Sequence, residues 1–179
     1  MKPLKFFWNT HKWIGLTLGL VFLNLAITGF FLLLKKDYAW IQPPSQQAAV
    51  GELKDCISIR QLFDVILAEK HPDFRSVDDI DRVDFRPDKR LHKVKSKRNY
   101  TEIQVCAVTG AVLSTDVRNS DWIEQIHDGS FFAAWTHDWL MPTAACALFF
   151  MVGSGTYIWL APILSKRRRR KSNRSTAAG

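Results

Sequence analysis

At 179 residues the chain is long enough for one or two small domains, and its three cysteines are too few for a disulfide scaffold. The formal charge of +8 is unevenly placed: residues 37–134 hold 13 Lys+Arg against 16 Asp+Glu, a net of −3, whereas the flanks hold 12 Lys+Arg against Asp138 alone, a net of +11. Bases gathered beside two long apolar runs point to a membrane and away from nucleic acid, and a mean hydropathy of −0.10 averages apolar spans with a polar middle.

The first run, Trp13 to Leu34, has no charge over 22 residues, and a bilayer core needs roughly 20 residues of helix. It ends in Leu33-Leu34-Lys35-Lys36-Asp37 with no small-residue cleavage pattern, so it reads as a retained signal anchor. The second run, Trp139 to Leu164, is also uncharged, with Pro142 and Pro162 near its two ends. Lysines flank both ends of the first span and leave its orientation open. The second decides it, because Asp128 and Asp138 precede it while Lys166-Arg167-Arg168-Arg169-Arg170-Lys171 follows at once. Both termini are therefore expected in the cytoplasm, and in a bacterium the middle segment faces the periplasm across the inner membrane. The Arg run reads as a stop-transfer anchor beside anionic membrane lipid.

Within the middle segment, Ser58 and Gln61 form a capping box ahead of Ile59, Leu62, Phe63, Ile66 and Leu67, whose spacing places them on one helix face. This helix should end near His71-Pro72. Short alternating stretches follow at 80–85, 91–94, 100–105 and 111–113, separated by Arg86-Pro87-Asp88 and Thr109-Gly110. They predict an antiparallel meander packed on one helix. The expected fold class is an α+β membrane protein in which two transmembrane helices flank an external domain. The expected divisions are a cytoplasmic N-terminus at 1–12, a span at 13–36, the external domain at 37–121, an interfacial helix at 122–138, a second span at 139–164 and a basic tail at 165–179.

The hairpin Val105-Cys106-Ala107-Val108-Thr109-Gly110-Ala111-Val112-Leu113 resembles the signature of PepSY domains, with Cys106 where an aspartate is common. His11-Lys12-Trp13-Ile14-Gly15 opens the first span, and Ile126-His127-Asp128-Gly129 followed by Phe131-Phe132 opens the second. This layout resembles the PepSY-associated transmembrane family over roughly residues 5 to 166. Larger members of that family include inner-membrane ferric-siderophore reductases. The resemblance implies transmembrane electron transfer, with a cytoplasmic flavin enzyme or a quinol as donor and a periplasmic acceptor. PepSY domains also occur in metallopeptidase propeptides, so the alternative is a membrane-anchored binding or inhibitory module, or an accessory subunit without a cofactor.

The histidines carry the chemical content. His11 lies at the cytoplasmic mouth of the first span, and His127 and His137 lie just before the second. Neutral imidazole is a haem-iron ligand. His11, Gly15 and Gly19 share one helix face, which is either an open slot for a flat ring or a Gly-x-x-x-Gly contact surface. On the second helix Met141, Ala144 and Ala145 follow His137 on its face.

His11 and His137 stand about 30 Å apart across the bilayer core and cannot share one iron. His127 and His137 on a continuous helix would be about 80° apart around the axis, a restriction that a break at Gly129 relaxes. Two helices are few to enclose a haem, so the expectation is a homodimeric b-type haem protein. Its haem would lie near His127 and His137, with a second near His11 as an extension of the same reading.

His71 and His92 read as surface or strand residues. Asn24 is expected to hydrogen-bond its symmetry mate, Ser154 or Thr156. Cys56 and Cys106 are either a disulfide or two thiols, and no Cys-x-x-Cys-His, nucleotide loop or hydrolase motif is present.

Overall fold

The computed structural model describes residues 2–176, with side chains from 3 to 168. The chain divides into a unit of residues 1–28 with 126–179 and a unit of residues 29–125.

The first unit is built from two long helices. Helix α1 (Lys2–Leu33) has 32 residues, about 48 Å at 1.5 Å per residue, so it outruns a hydrocarbon core of about 30 Å. Helix α4 (Met141–Thr176) has 36 residues and keeps Pro162 in its interior, where the ring removes one helical hydrogen bond. Pro3–Leu33 and Thr136–Arg168 are both long and apolar enough to cross a membrane. Only 6% of each apolar window is buried inside the protein, which fits lipid-facing helices and not the core helices of a soluble domain.

The two helices run antiparallel. Phe7 packs on Phe150 and Tyr157, with ring centroids 6.3 and 4.9 Å away. One turn beyond His11, a Cβ on Gly15 would stand 3.0 Å from the Met151 methyl, so this glycine serves close helix contact. Gly19 has nothing within 4 Å of its Cβ direction. Asn24, expected to pair with its symmetry mate, Ser154 or Thr156, instead donates from Nδ2 to the Ile126 carbonyl at 3.1 Å. Ser154 is engaged at the other end of the helix pair, and Ile126 offers a carbonyl at the depth of Asn24.

The second unit contains α2 (Ile59–Ala68) and four strands, β1 (Ile80–Arg86), β2 (Leu91–Ser96), β3 (Thr101–Cys106) and β4 (Val112–Val117). The strands form one antiparallel sheet in the order β1-β2-β3-β4, as the alternation and turn residues predict. The expected capping box opens α2, with Ser58 Oγ accepting the Gln61 N–H at 3.3 Å and Gln61 Oε1 accepting the Ser58 N–H at 2.8 Å. Leu62 and Ile66 of α2 meet Val94, Ile103 and Val105 of the sheet, and Phe74 closes this core.

The opposite sheet face is covered as well, which gives a further layer. In register, Lys93 stands beside Gln104 and Lys95 beside Glu102, and all four are buried. The Gln104 amide donates to the Pro44 carbonyl at 3.0 Å and accepts from the Gln46 N–H at 2.9 Å, which straps residues 44–46 over the sheet. Helix α3 (Asn119–Asp128) covers the rest through Lys95 Nζ to Asp121 Oδ2 at 2.6 Å and Tyr100 to Gln125 at 2.9 Å.

The helix predicted over 122–138 is thus divided. Helix α3 stops at Asp128, Gly129 takes φ +80°, and one wide π-helical turn over Thr136–Leu140 leads into α4. Only glycine fits this corner, because a Cβ would lie 2.8 Å from Thr136 Cγ2 and 3.0 Å from Met141 Cε.

His71 is half-buried after α2. His92 is a strand residue as expected, but only 5% exposed, stacked near Phe85 with both ring nitrogens unpartnered. Cys56 and Cys106 are both free thiols: Cys56 Sγ lies 3.9 Å from the Glu52 carbonyl, and Cys106 Sγ accepts the Thr109 N–H at 3.4 Å. Cys146 is also free. Of the basic tail, residues 177–179 and the side chains beyond 168 lie outside the described residues.

Candidate functional site

Three histidines of the membrane unit share one arrangement. His11 Nδ1 lies 2.8 Å from Ser154 Oγ, whose single proton is directed to the Met151 carbonyl at 3.2 Å. His127 Nδ1 lies 2.8 Å from Thr28 Oγ1, whose proton goes to the Asn24 carbonyl at 2.6 Å. A hydroxyl has one proton to give, so where it goes to the carbonyl the ring proton is on Nδ1. His137 Nδ1 faces the Asp128 carbonyl at 3.1 Å, which is an acceptor only, with Asp128 Oδ2 at 3.8 Å. In all three rings the Nε2 lone pair is left for another partner. This is how a second partner orients a metal-bound imidazole.

The residues fall into two groups. Thr28, His127, Asp128 and His137 form one neighbourhood, because the Gly129 corner turns the chain so that residue 137 returns to residue 128. His11 is apart: its position on α1 is 17 residues from Thr28, about 25 Å of helix. His11 is half-buried, with its Cε1 3.2 Å from the Cβ direction of Gly155, so any larger residue there would press on the ring. His127 is half-buried and His137 is exposed. Among the described residues no three His, Cys, Asp or Glu side chains come together in a group that could hold a metal ion.

Each end of the helix pair also has an apolar cavity. Leu4, Trp8, Ile158 and Pro162 line one of about 410 Å³, on the faces that carry His11 and Ser154 one turn away. Leu20, Asn24, Phe132, Trp135 and Met141 line another of about 400 Å³, below Thr28 on the same α1 face. No histidine lines either cavity.

Sequence reasoning reached the three histidines but missed Thr28, Ser154 and the Asp128 carbonyl. In the sequence Ser154 reads as a candidate partner of Asn24 and not of a histidine, and Thr28 carries no signal beyond lying four residues after Asn24.

No curated protein and no solved structure was found to match the chain. A comparison with protein families matches residues 8–178 to the PepSY-associated TM region. With two membrane-length helices around a sheet domain and a match over nearly its whole length, the chain belongs to the PepSY-associated transmembrane family.

Proposed function

We propose that this membrane protein is a b-type haem protein that carries electrons between the cytoplasmic and external faces of a bacterial inner membrane. The observation that carries the reading is the shared arrangement of His11, His127 and His137, each with Nδ1 at hydrogen-bond distance from an oxygen, so that Nε2 is left for another partner. An imidazole whose Nε2 is left for another partner, on a helix pair that has an apolar cavity toward each end, supports the reading of an axial haem ligand.

Bound haem would supply one-electron chemistry. The chain's own residues hold and orient the ring nitrogens. Ser154 and Thr28 fix the tautomer and plane of His11 and His127, and the Asp128 carbonyl does the same for His137. His11 is one donor at its level, so a second axial ligand there calls for a second copy of the chain, and a C2 dimer would assemble a four-helix bundle. Lys166, Arg167 and Arg168 are exposed toward the C-terminal end of α4, which supports a cytoplasmic C-terminus with the sheet domain on the opposite side of the membrane. The donor in this reading is a cytoplasmic flavin enzyme or a quinol, and the acceptor is periplasmic.

The test is a pyridine haemochrome assay and a reduced-minus-oxidised spectrum on the detergent-purified protein, for wild type, His11→Ala and His137→Ala. Haem in wild type with a reduced haem-to-chain ratio in the variants supports the reading. Absence of haem after expression with haem supply overturns it, and leaves the chain as an anchored binding module.

A further inference from the structure

The sheet domain carries a second feature that the histidines do not touch. A cleft of about 430 Å³ opens between the strap that follows α1 and the β1–β2 turn, lined by Lys36, Pro44, Ser45, Arg86, Lys89 and Lys93, with Asp88 as the one carboxylate in the lining. Lys36, Arg86 and Lys89 make no ion pair among the described residues, whereas the neighbouring Lys35 is neutralised by Glu124 at 2.8 Å.

The floor adds charge of the same sign. Lys93, 2% exposed, donates to Glu102 Oε1 at 3.1 Å, and Arg118 donates to Glu102 Oε2 at 2.9 Å and to Asp121 Oδ1 at 2.7 Å. Lys95 completes the group on Asp121 Oδ2 at 2.6 Å. Three cations thus share two carboxylates, which leaves one positive charge in excess in a buried network. Buried charge is costly unless it is compensated. With the three rim cations against Asp88, the cleft and its floor carry +3, of which Lys36 supplies one charge and +2 lies inside the segment 37–134, whose net charge is −3.

We propose that this cleft binds a phosphate-bearing anion. A guanidinium fork flanked by two ammonium groups is the donor set for a phosphate oxyanion. The volume exceeds what a bare phosphate fills and has room for a substituent. Lys36 follows the end of α1 at Leu33 by three residues, at most about 10 Å of chain, so one rim cation stands within reach of the headgroup layer. The phosphate has two sources, an anionic phospholipid headgroup or a soluble phosphate compound of the external compartment. The proposal is independent of the haem reading, since the cleft shares no residue with the histidine sites.

The test uses the full-length chain in uncharged detergent, titrated by thermophoresis with dihexanoyl phosphatidylglycerol, with dihexanoyl phosphatidylcholine as the net-neutral comparison, and with inorganic pyrophosphate. The double variant Arg86→Glu/Lys89→Glu, both on the turn, should weaken binding at least tenfold. Lys54→Glu, outside the cleft lining, should leave it unchanged. Preference for phosphatidylglycerol without pyrophosphate binding assigns the headgroup source, and pyrophosphate binding assigns the soluble source. The proposal is overturned if neither anion binds, if phosphatidylcholine binds as tightly as phosphatidylglycerol, or if the double variant binds like wild type.

Discussion

Thr28 Oγ1 stands 2.8 Å from His127 Nδ1 and 2.6 Å from the Asn24 carbonyl, so one hydroxyl both fixes a histidine tautomer and closes a turn of α1. With the hydroxyl proton on the nearer carbonyl, the imidazole donates from Nδ1. Replacing Thr28 by Val keeps the shape and removes the acceptor. Losses of about 10- to 100-fold in metal affinity are typical when such an orienting partner is removed. Haem titration of Thr28→Val should show a weakening in that range, with Thr28→Ser close to wild type. Equal affinity in Thr28→Val would show that the hydroxyl does not orient a ligand.

Gly129 makes the corner that returns His137 to Asp128. Alanine there meets a φ of +80° and a methyl contact of 2.8 Å with Thr136 Cγ2. The left-handed backbone alone costs about 1–2 kcal/mol, and the overlap adds to it. Gly129→Ala should lower the thermal midpoint and, if His137 holds haem, broaden or shift the Soret band, whereas Gly153→Ala, with open space around its Cβ, should do neither.

Glu102 is fully buried and takes hydrogen bonds from Lys93, Gln104 and Arg118. Glu102→Gln leaves two cations facing a neutral amide, and breaking a buried pair from one side costs about 3–5 kcal/mol. Chemical denaturation should show a loss of this size. A Lys93→Met/Glu102→Leu double variant, which removes both members of that pair and leaves Arg118 on Asp121, should recover part of it.

His92 gives the sheet domain a sensitivity to acid. Burial among apolar groups disfavours the charged ring and pushes its pKa below the ordinary value, and neither nitrogen has a partner to offset that. The folded state therefore binds fewer protons than the unfolded chain, whose histidine titrates near about 6.5. The stability that comes from keeping this ring neutral is fully present above that pH and is lost as pH falls below it toward the folded-state pKa. The unfolding midpoint should drop between pH 7.5 and 5.5, and His92→Phe should make that drop smaller. The same drop in the variant would assign the acid response to other groups.

Local pattern carried a definite part of this architecture. The Ser58/Gln61 box, the apolar stripe of α2 and the turn residues between strands act over a few positions, and the structure has the helix and meander they imply. What was not legible depends on residues far apart in the chain. Lys93, Lys95, Glu102 and Gln104 alternate with apolar neighbours in the way a water-facing strand surface does, and only the strap at 44–46 and α3 turn that surface into an interior. The histidines showed themselves by type and place. Their partners lie 143 positions away for His11 and 99 for His127, beyond the reach of any spacing argument.

The neighbour-to-neighbour order β1-β2-β3-β4 has a consequence for biogenesis. Every ladder closes over a short loop, the kind of connectivity that forms quickly. The sheet can be complete while the ribosome is still making α4. The His11–Ser154 contact, by contrast, waits for the last quarter of the chain. The sheet domain therefore has all its strands before the residue that closes the far end of the helix pair has been made.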